Sequence, residues 1–117
     1  MTTMGFSGFK RKNTMNVVEA LAGQEAGHLI LVDVREDSER ARGFARGSRH
    51  LPLGQLKQRL GELPTDRPVA FICQSGRRSA MAATAACRAG LDAHNVTGGM
   101  TAWTRQGLDT EFGGRTS

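Results

Sequence analysis

A chain of 117 residues suits one domain with an ordinary hydrophobic core, and its two cysteines, Cys73 and Cys87, are too few for a disulfide framework and form no Cys-x-x-Cys pair for zinc. Sixteen Lys and Arg against eleven Asp and Glu leave a net charge of +5, but past Arg11 the arginines are scattered from 35 to 115 without interleaved aromatics, which argues against a nucleic-acid groove. No apolar run approaches the roughly 20 residues of a membrane span, and none adjoins Lys10-Arg11-Lys12 as in a secretory leader, so a cytoplasmic protein in a reducing compartment, with neither nucleic acid nor membrane as partner, is expected.

In chain order, residues 1 to 13 read as a flexible segment in which Phe6 and Phe9 could supply an edge strand. Thr14 is placed to cap a helix whose apolar Val17, Val18 and Leu21 share a face, with Gly23 or Gly27 ending it. Leu29-Ile30-Leu31-Val32-Asp33-Val34 is a nearly continuous apolar run, the pattern of a strand covered on both faces. It ends in Asp33, Arg35 and Glu36, which should reach the rim of a sheet. Asp37 or Ser38 then caps a short helix through Arg42, Gly43 stops it, and residues 47 to 53 return in extended form around Pro52. Leu56 and Leu60 mark a further short helix that Gly61 and Pro64 terminate.

Pro68 opens the central strand, Val69-Ala70-Phe71-Ile72, and Cys73 stands at its end. A polar loop with one glycine, Gly76, leads to an alanine-rich helix that starts at Ser79, runs to Gly90 and sets Ala80, Ala83 and Cys87 on one face. His94-Asn95-Val96 forms a last strand, Gly98-Gly99 a tight turn, and Met100 to Arg105 a final helix carrying Trp103. Residues 109 to 117 read as a flexible tail. The alternation of strands and helices over residues 14 to 108 predicts an α/β domain, a mostly parallel central sheet flanked by helices on both faces. Ligands of such sheets bind beyond the carboxyl ends of the strands, which is where Cys73 falls.

A thiol at that position faces the first N–H groups of the following helix, which lack intrahelical partners and sit at the positive end of its dipole. Thiolate is favoured there over thiol, and the fixed charges of Arg77 and Arg78 add to the effect. Cys87, by contrast, reads as a small apolar residue on a buried helix face. Trp103 reads as core or pocket wall, and His28, His50 and His94 lack ligand spacing, so no metal site is expected.

With these pieces placed, the chain resembles a single-domain rhodanese, a rhodanese-like sulfurtransferase domain, in four segments that follow the family's order. Leu31 to Glu36 resembles its Asp-x-Arg strand end, and Glu39 with Gly43, Gly47 and Pro52 resembles its Glu and Gly-His-Ile-Pro-Gly-Ala stretch. Cys73-Gln74-Ser75-Gly76-Arg77-Arg78-Ser79 resembles its Cys-x-x-Gly-x-Arg-Ser loop, and Gly98-Gly99 with Trp103 its Gly-Gly-x-x-x-Trp close. Phe44 and Arg46 stand where the family has histidine and proline, which bears on local packing.

The resemblance implies that the Cys73 thiolate takes the outer sulfur of a small anionic donor such as thiosulfate, holds it as a persulfide, and passes it to cyanide, a thiol, thioredoxin or a sulfur-relay protein, with no cofactor. Backbone N–H groups from Gln74 to Ser79 would hold the sulfur, Gly76 would let the loop turn, and Arg77 at the pocket mouth would hold the anion. Arg78 would brace the loop against Asp33 or Glu39, with Asp33, Arg35 and Glu39 standing behind it. Two rivals remain: a module that carries sulfur without turnover, and a cysteine phosphatase or arsenate reductase. The phosphatase signature puts one residue more between cysteine and arginine than the four that separate Cys73 from Arg78.

Overall fold

The computed structural model describes residues 13–112. The expectations for residues 1–12, including a strand at Phe6 and Phe9, and for residues 113–117 lie outside the described residues.

Among the described residues five short strands form one parallel sheet: β1 (Thr14–Met15), β2 (Ile30–Asp33), β4 (Arg49–His50), β5 (Val69–Ile72) and β6 (Ala93–Val96), in the spatial order β1-β6-β5-β2-β4. The central β5 is buried at every residue, because strands lie on both edges and helices on both faces. On one face α1 (Val17–Glu25) and α5 (Gly99–Arg105) pack Val17, Ala20, Met100 and Trp103 against Leu31, Ala70 and Ile72. On the other, α3 (Leu56–Arg59) and α4 (Arg77–Arg88) cover Val32, Val69 and Phe71 with Leu56, Ala82, Ala83 and Ala86. Alternation along β5 sends Phe71 to the α4 face and Ala70 and Ile72 to the other, so Cys73, in step with Phe71, lies under α4. The α/β class with a mostly parallel sheet and helices on both faces is therefore the observed one.

Several local expectations are corrected. Thr14 pairs with Asn95 in β1, and the cap of α1 is Asn16, whose side chain accepts from Glu19 N–H at 2.8 Å while Glu19 Oε1 accepts from Asn16 N–H at 2.8 Å. Ala20 replaces the exposed Val18 on the buried face of that helix. The helix α2 is shorter than expected, Asp37–Arg40, and is capped from Glu36. The chain does not loosen at 109: β7 (Thr110–Glu111) pairs antiparallel with β3 (Phe44–Ala45), Asp109 O accepts from Trp103 Nε1 at 2.8 Å, and Arg46 meets Asp109 at 2.8 Å. The two departures from the family pattern thus have local partners, since the Arg40 guanidinium also lies 3.8 Å over the Phe44 ring.

Candidate active site at the carboxyl end of the central strand

The loop between β5 and α4 is only Cys73 to Gly76, and α4 begins at Arg77, two residues before the serine expected to open it. Gly76 makes this possible. It caps α4 at φ +108°, a backbone conformation that L side chains rarely adopt, and turns the chain back over the thiol. The earlier start puts Ser79 in the first turn on the buried face with Ala82, Ala83 and Ala86. Cys87 is only half-buried, at the far end of the helix.

Cys73 Sγ, itself shielded from solvent, receives Gly76 N–H at 3.1 Å and Ser79 N–H at 3.3 Å, and Ser79 Oγ lies 3.2 Å away. Burial pushes the thiol up. The Ser79 hydroxyl and the N–H groups of Ser79, Gly76 and Ser75 outweigh it, so the net value lies below that of an ordinary thiol. The cradle supplies directed donors and no general base. That arrangement suits a pre-formed nucleophile.

The loop is held from two sides. From α4, Arg78 reaches back to Glu39 in a two-pronged pair at 2.7 and 2.8 Å, so the brace is with Glu39 and not with Asp33. The Arg78 hydrogen bonds hold the Glu39 carboxyl down at about 2, well under its usual range. Asp33 is fully buried and accepts from Arg35 N–H, Nε and Nη2, with Arg40 adding a longer contact at 3.4 Å. Arg35 in turn donates to Gly43 O at 2.7 Å and to Gln74 Oε1 at 3.3 Å. Asp33, Arg35 and Glu39 therefore act on the loop from behind. None touches the sulfur.

From α5, Met100 N–H donates to Cys73 O at 2.8 Å and Thr101 N–H to Gln74 O at 3.0 Å. A Cβ on Gly99 would collide with both carbonyls, so the glycine pair is what lets α5 dock under the loop. The glycine pair, expected as a tight turn and as part of the family's closing motif, is thus also a docking contact. Asn95, expected only as a residue of the last strand, joins the site: its Oδ1 lies 2.6 Å from Ser79 Oγ.

Arg77 is exposed on the first turn of α4 and makes no hydrogen bond or ion pair among the described residues. Gln74 and Ser75 are also exposed. Beside Gln74 opens a cavity of about 290 Å³ whose walls include Arg35, Glu39, Arg42, Met100 and Phe112, and Arg77 does not line it. Among the described residues no group of three or more His, Cys, Asp or Glu is arranged to hold a metal, and no helix is long and apolar enough to cross a membrane.

The family model for the rhodanese-like domain matches residues 16–106. The chain belongs to the rhodanese-like domain family. Relatives of this domain include an uncharacterized protein, YqhL, of Bacillus subtilis, 41% identical over 91 residues that cover 77% of this chain and 71% of that one. A putative sulfurtransferase of the same organism, YtwF, is 35% identical and covers 80% of this chain and 89% of its own. Among solved structures, a rhodanese-related protein of Thermoplasma volcanium superimposes with a TM-score of 0.79 at 27% identity, over 85% of this chain and 97% of that one. The family model spans every strand of the rhodanese-like sheet except β1, together with the whole Cys73 loop.

Proposed function

We propose that this rhodanese-like domain is a sulfurtransferase that carries sulfane sulfur on Cys73. The observation that carries the reading is the convergence of Gly76 N–H, Ser79 N–H and Ser79 Oγ on one buried sulfur within 3.3 Å. Such a cradle stabilises charge on a single atom, and the reading is supported by relatives named putative sulfurtransferase and sulfurtransferase.

In the first half-reaction the Cys73 thiolate attacks the outer sulfur of an anionic donor such as thiosulfate. A new S–S bond forms, the old one breaks, and sulfite departs with the electron pair. In the second, cyanide or a thiolate attacks the terminal sulfur of the persulfide, and the Cys73 thiolate leaves with the pair of the broken bond. Thioredoxin or a sulfur-relay protein would serve as acceptor in the same way, inside the cytoplasm and without any cofactor. Neither half needs an enzyme base to remove a proton, which fits a cradle of donors without a histidine. Arg77 is the cation assigned to the approaching donor. Its exposure makes that role one of attraction at a distance, not of fixed geometry.

Mixing the protein with thiosulfate should release sulfite in a burst equal to the protein present, and adding cyanide should give ping-pong turnover. A burst with no turnover for any small acceptor would favour a sulfur-carrying module. Absence of both sulfite and a mass gain of one sulfur atom would refute the proposal.

A further inference from the structure

Asn95 lies in β6 opposite Phe71 of β5, and Phe71 and Cys73 are two apart, so Asn95 shares the face of the sheet on which Cys73 and α4 meet. Its Oδ1 stands 2.6 Å from Ser79 Oγ, which stands 3.2 Å from Cys73 Sγ. Ser79 has one hydroxyl proton for these two acceptors. At 2.6 Å the proton must lie between the two oxygens, because unprotonated oxygens that close repel. The chain therefore runs S–H to Oγ and O–H to Oδ1, which is the arrangement for a neutral thiol.

A thiolate can only accept, so on ionisation, as the thiol proton is lost to water, the Ser79 proton must turn to the sulfur. Oγ then shows a lone pair to Asn95. Contact survives only if the amide rotates to present Nδ2, which donates. Asn carries both an acceptor and a donor on one planar group and can serve either state.

We propose that Asn95 is a positioning residue for Cys73, its amide turning over as the thiol ionises so that it accepts from Ser79 in the thiol state and donates to Ser79 in the thiolate state. When the sulfur becomes a persulfide, the charge moves to the outer atom, the inner sulfur carries no proton, and the Ser79 hydroxyl is free to turn back to Asn95 Oδ1. The switch would thus follow the chemical state of the cysteine.

Two cations stand at the start of α4: Arg78, neutralised by Glu39 of α2, and the exposed Arg77, which is present in every variant below and cancels in the comparison. At the end of β2, Arg35 is paired with Asp33. In β6 the titratable neighbour, His94, alternates to the opposite face and meets Asp92 at 2.7 Å, and α5 offers no titratable side chain before Arg105. Asn95 is thus the polar group of β6 on this face.

The test is a double-mutant cycle on the thiol titration, read by thiolate absorbance in a Cys87→Ala background, where one thiol remains and no tyrosine overlaps it. Ser79→Ala should lower the thiolate fraction at a given pH about tenfold when residue 95 is Asn, the loss of a hydrogen bond to a charged atom. With Asn95→Asp, an acceptor only, the Ser79 proton stays turned away from sulfur, and the same Ser79→Ala change should alter the fraction less than about threefold. The Asn95 side-chain amide resonances should move with the thiol midpoint, and not in Ser79→Ala. An equal Ser79→Ala effect in both backgrounds, or amide resonances indifferent to the thiol, would overturn the proposal. Neither readout involves sulfur transfer, so this proposal and the sulfurtransferase reading fail separately.

Discussion

Cys73 and Cys87 are the same side chain at opposite ends of one helix, and the more exposed of the two is the less suited to attack. Cys73 Sγ is shut from solvent and receives hydrogen bonds from N–H groups at the start of α4. Cys87, half-buried at the last turn, donates its own proton to Ala93 O at 3.3 Å and accepts one longer contact, from Asn13 Nδ2 at 3.4 Å. A carbonyl partner requires the thiol form, whereas converging N–H groups reward the thiolate. The direction of the hydrogen bonds, set by which end of a helix the sulfur meets, separates the two thiols, and exposure runs the other way.

The largest effect should come from removing the favoured sulfur. Cys73→Ser should abolish sulfur loading from thiosulfate while the fold survives, because the two side chains differ by one atom and a hydroxyl neither ionises near neutral pH nor forms a persulfide. Intact-mass measurement after incubation checks it; a retained gain of sulfur would move the chemistry elsewhere. Ser79→Ala sharpens the contrast by deleting one donor and leaving the others. It should slow sulfur loading near neutral pH about tenfold or more, in keeping with about 1.5–3 kcal/mol for a hydrogen bond to a charged group, and raising the pH should restore part of the rate.

The brace behind Cys73 has its own signature. Because Arg78 holds Glu39 at about 2 in the folded state against 4.5 unperturbed, the folded protein binds that proton less readily than the unfolded chain. The stabilisation is therefore complete above 4.5 and is lost as the pH falls from there toward about 2. Both side chains are partly exposed, so solvent screening limits the pair to about 1 kcal/mol. Glu39→Gln should flatten the dependence of the urea midpoint on pH across that interval; an unchanged slope would assign the acid sensitivity to other carboxylates.

Smaller still, Arg77→Ala should weaken use of thiosulfate by about 1 kcal/mol or less, since an exposed guanidinium acts through a screened field, and added salt should erase the difference. A salt-independent loss would mean that Arg77 grips the donor directly. Cys87→Ala should leave turnover near wild type, with a modest loss of stability from the smaller side chain.

The parts of this account legible from sequence are those written in contiguous residues. A strand ending on cysteine, a glycine and two arginines fix the cradle and its direction, and Arg78 had two acidic partners in view, of which Glu39 is the one used. Less legible were pairings made by two-residue strands, which have no periodicity to read. Thr14 therefore reads as a cap, and Thr110–Glu111 as a tail, although Thr14–Met15 pairs with Asn95–Val96 and Thr110–Glu111 with Phe44–Ala45. The start of α4 carries no sequence signal because its cap is a glycine with no capping side chain. Asn95 stayed hidden because its partner, Ser79, is sixteen residues away on another element.

The comparison of the two cysteines rests most directly on where sulfur lands. After incubation with thiosulfate, the intact protein should be cleaved and the added sulfur located by peptide mass. One sulfur atom is expected, all of it on the peptide containing Cys73 and none on that containing Cys87. Sulfur divided between the two, or found first on the more exposed Cys87, would contradict it.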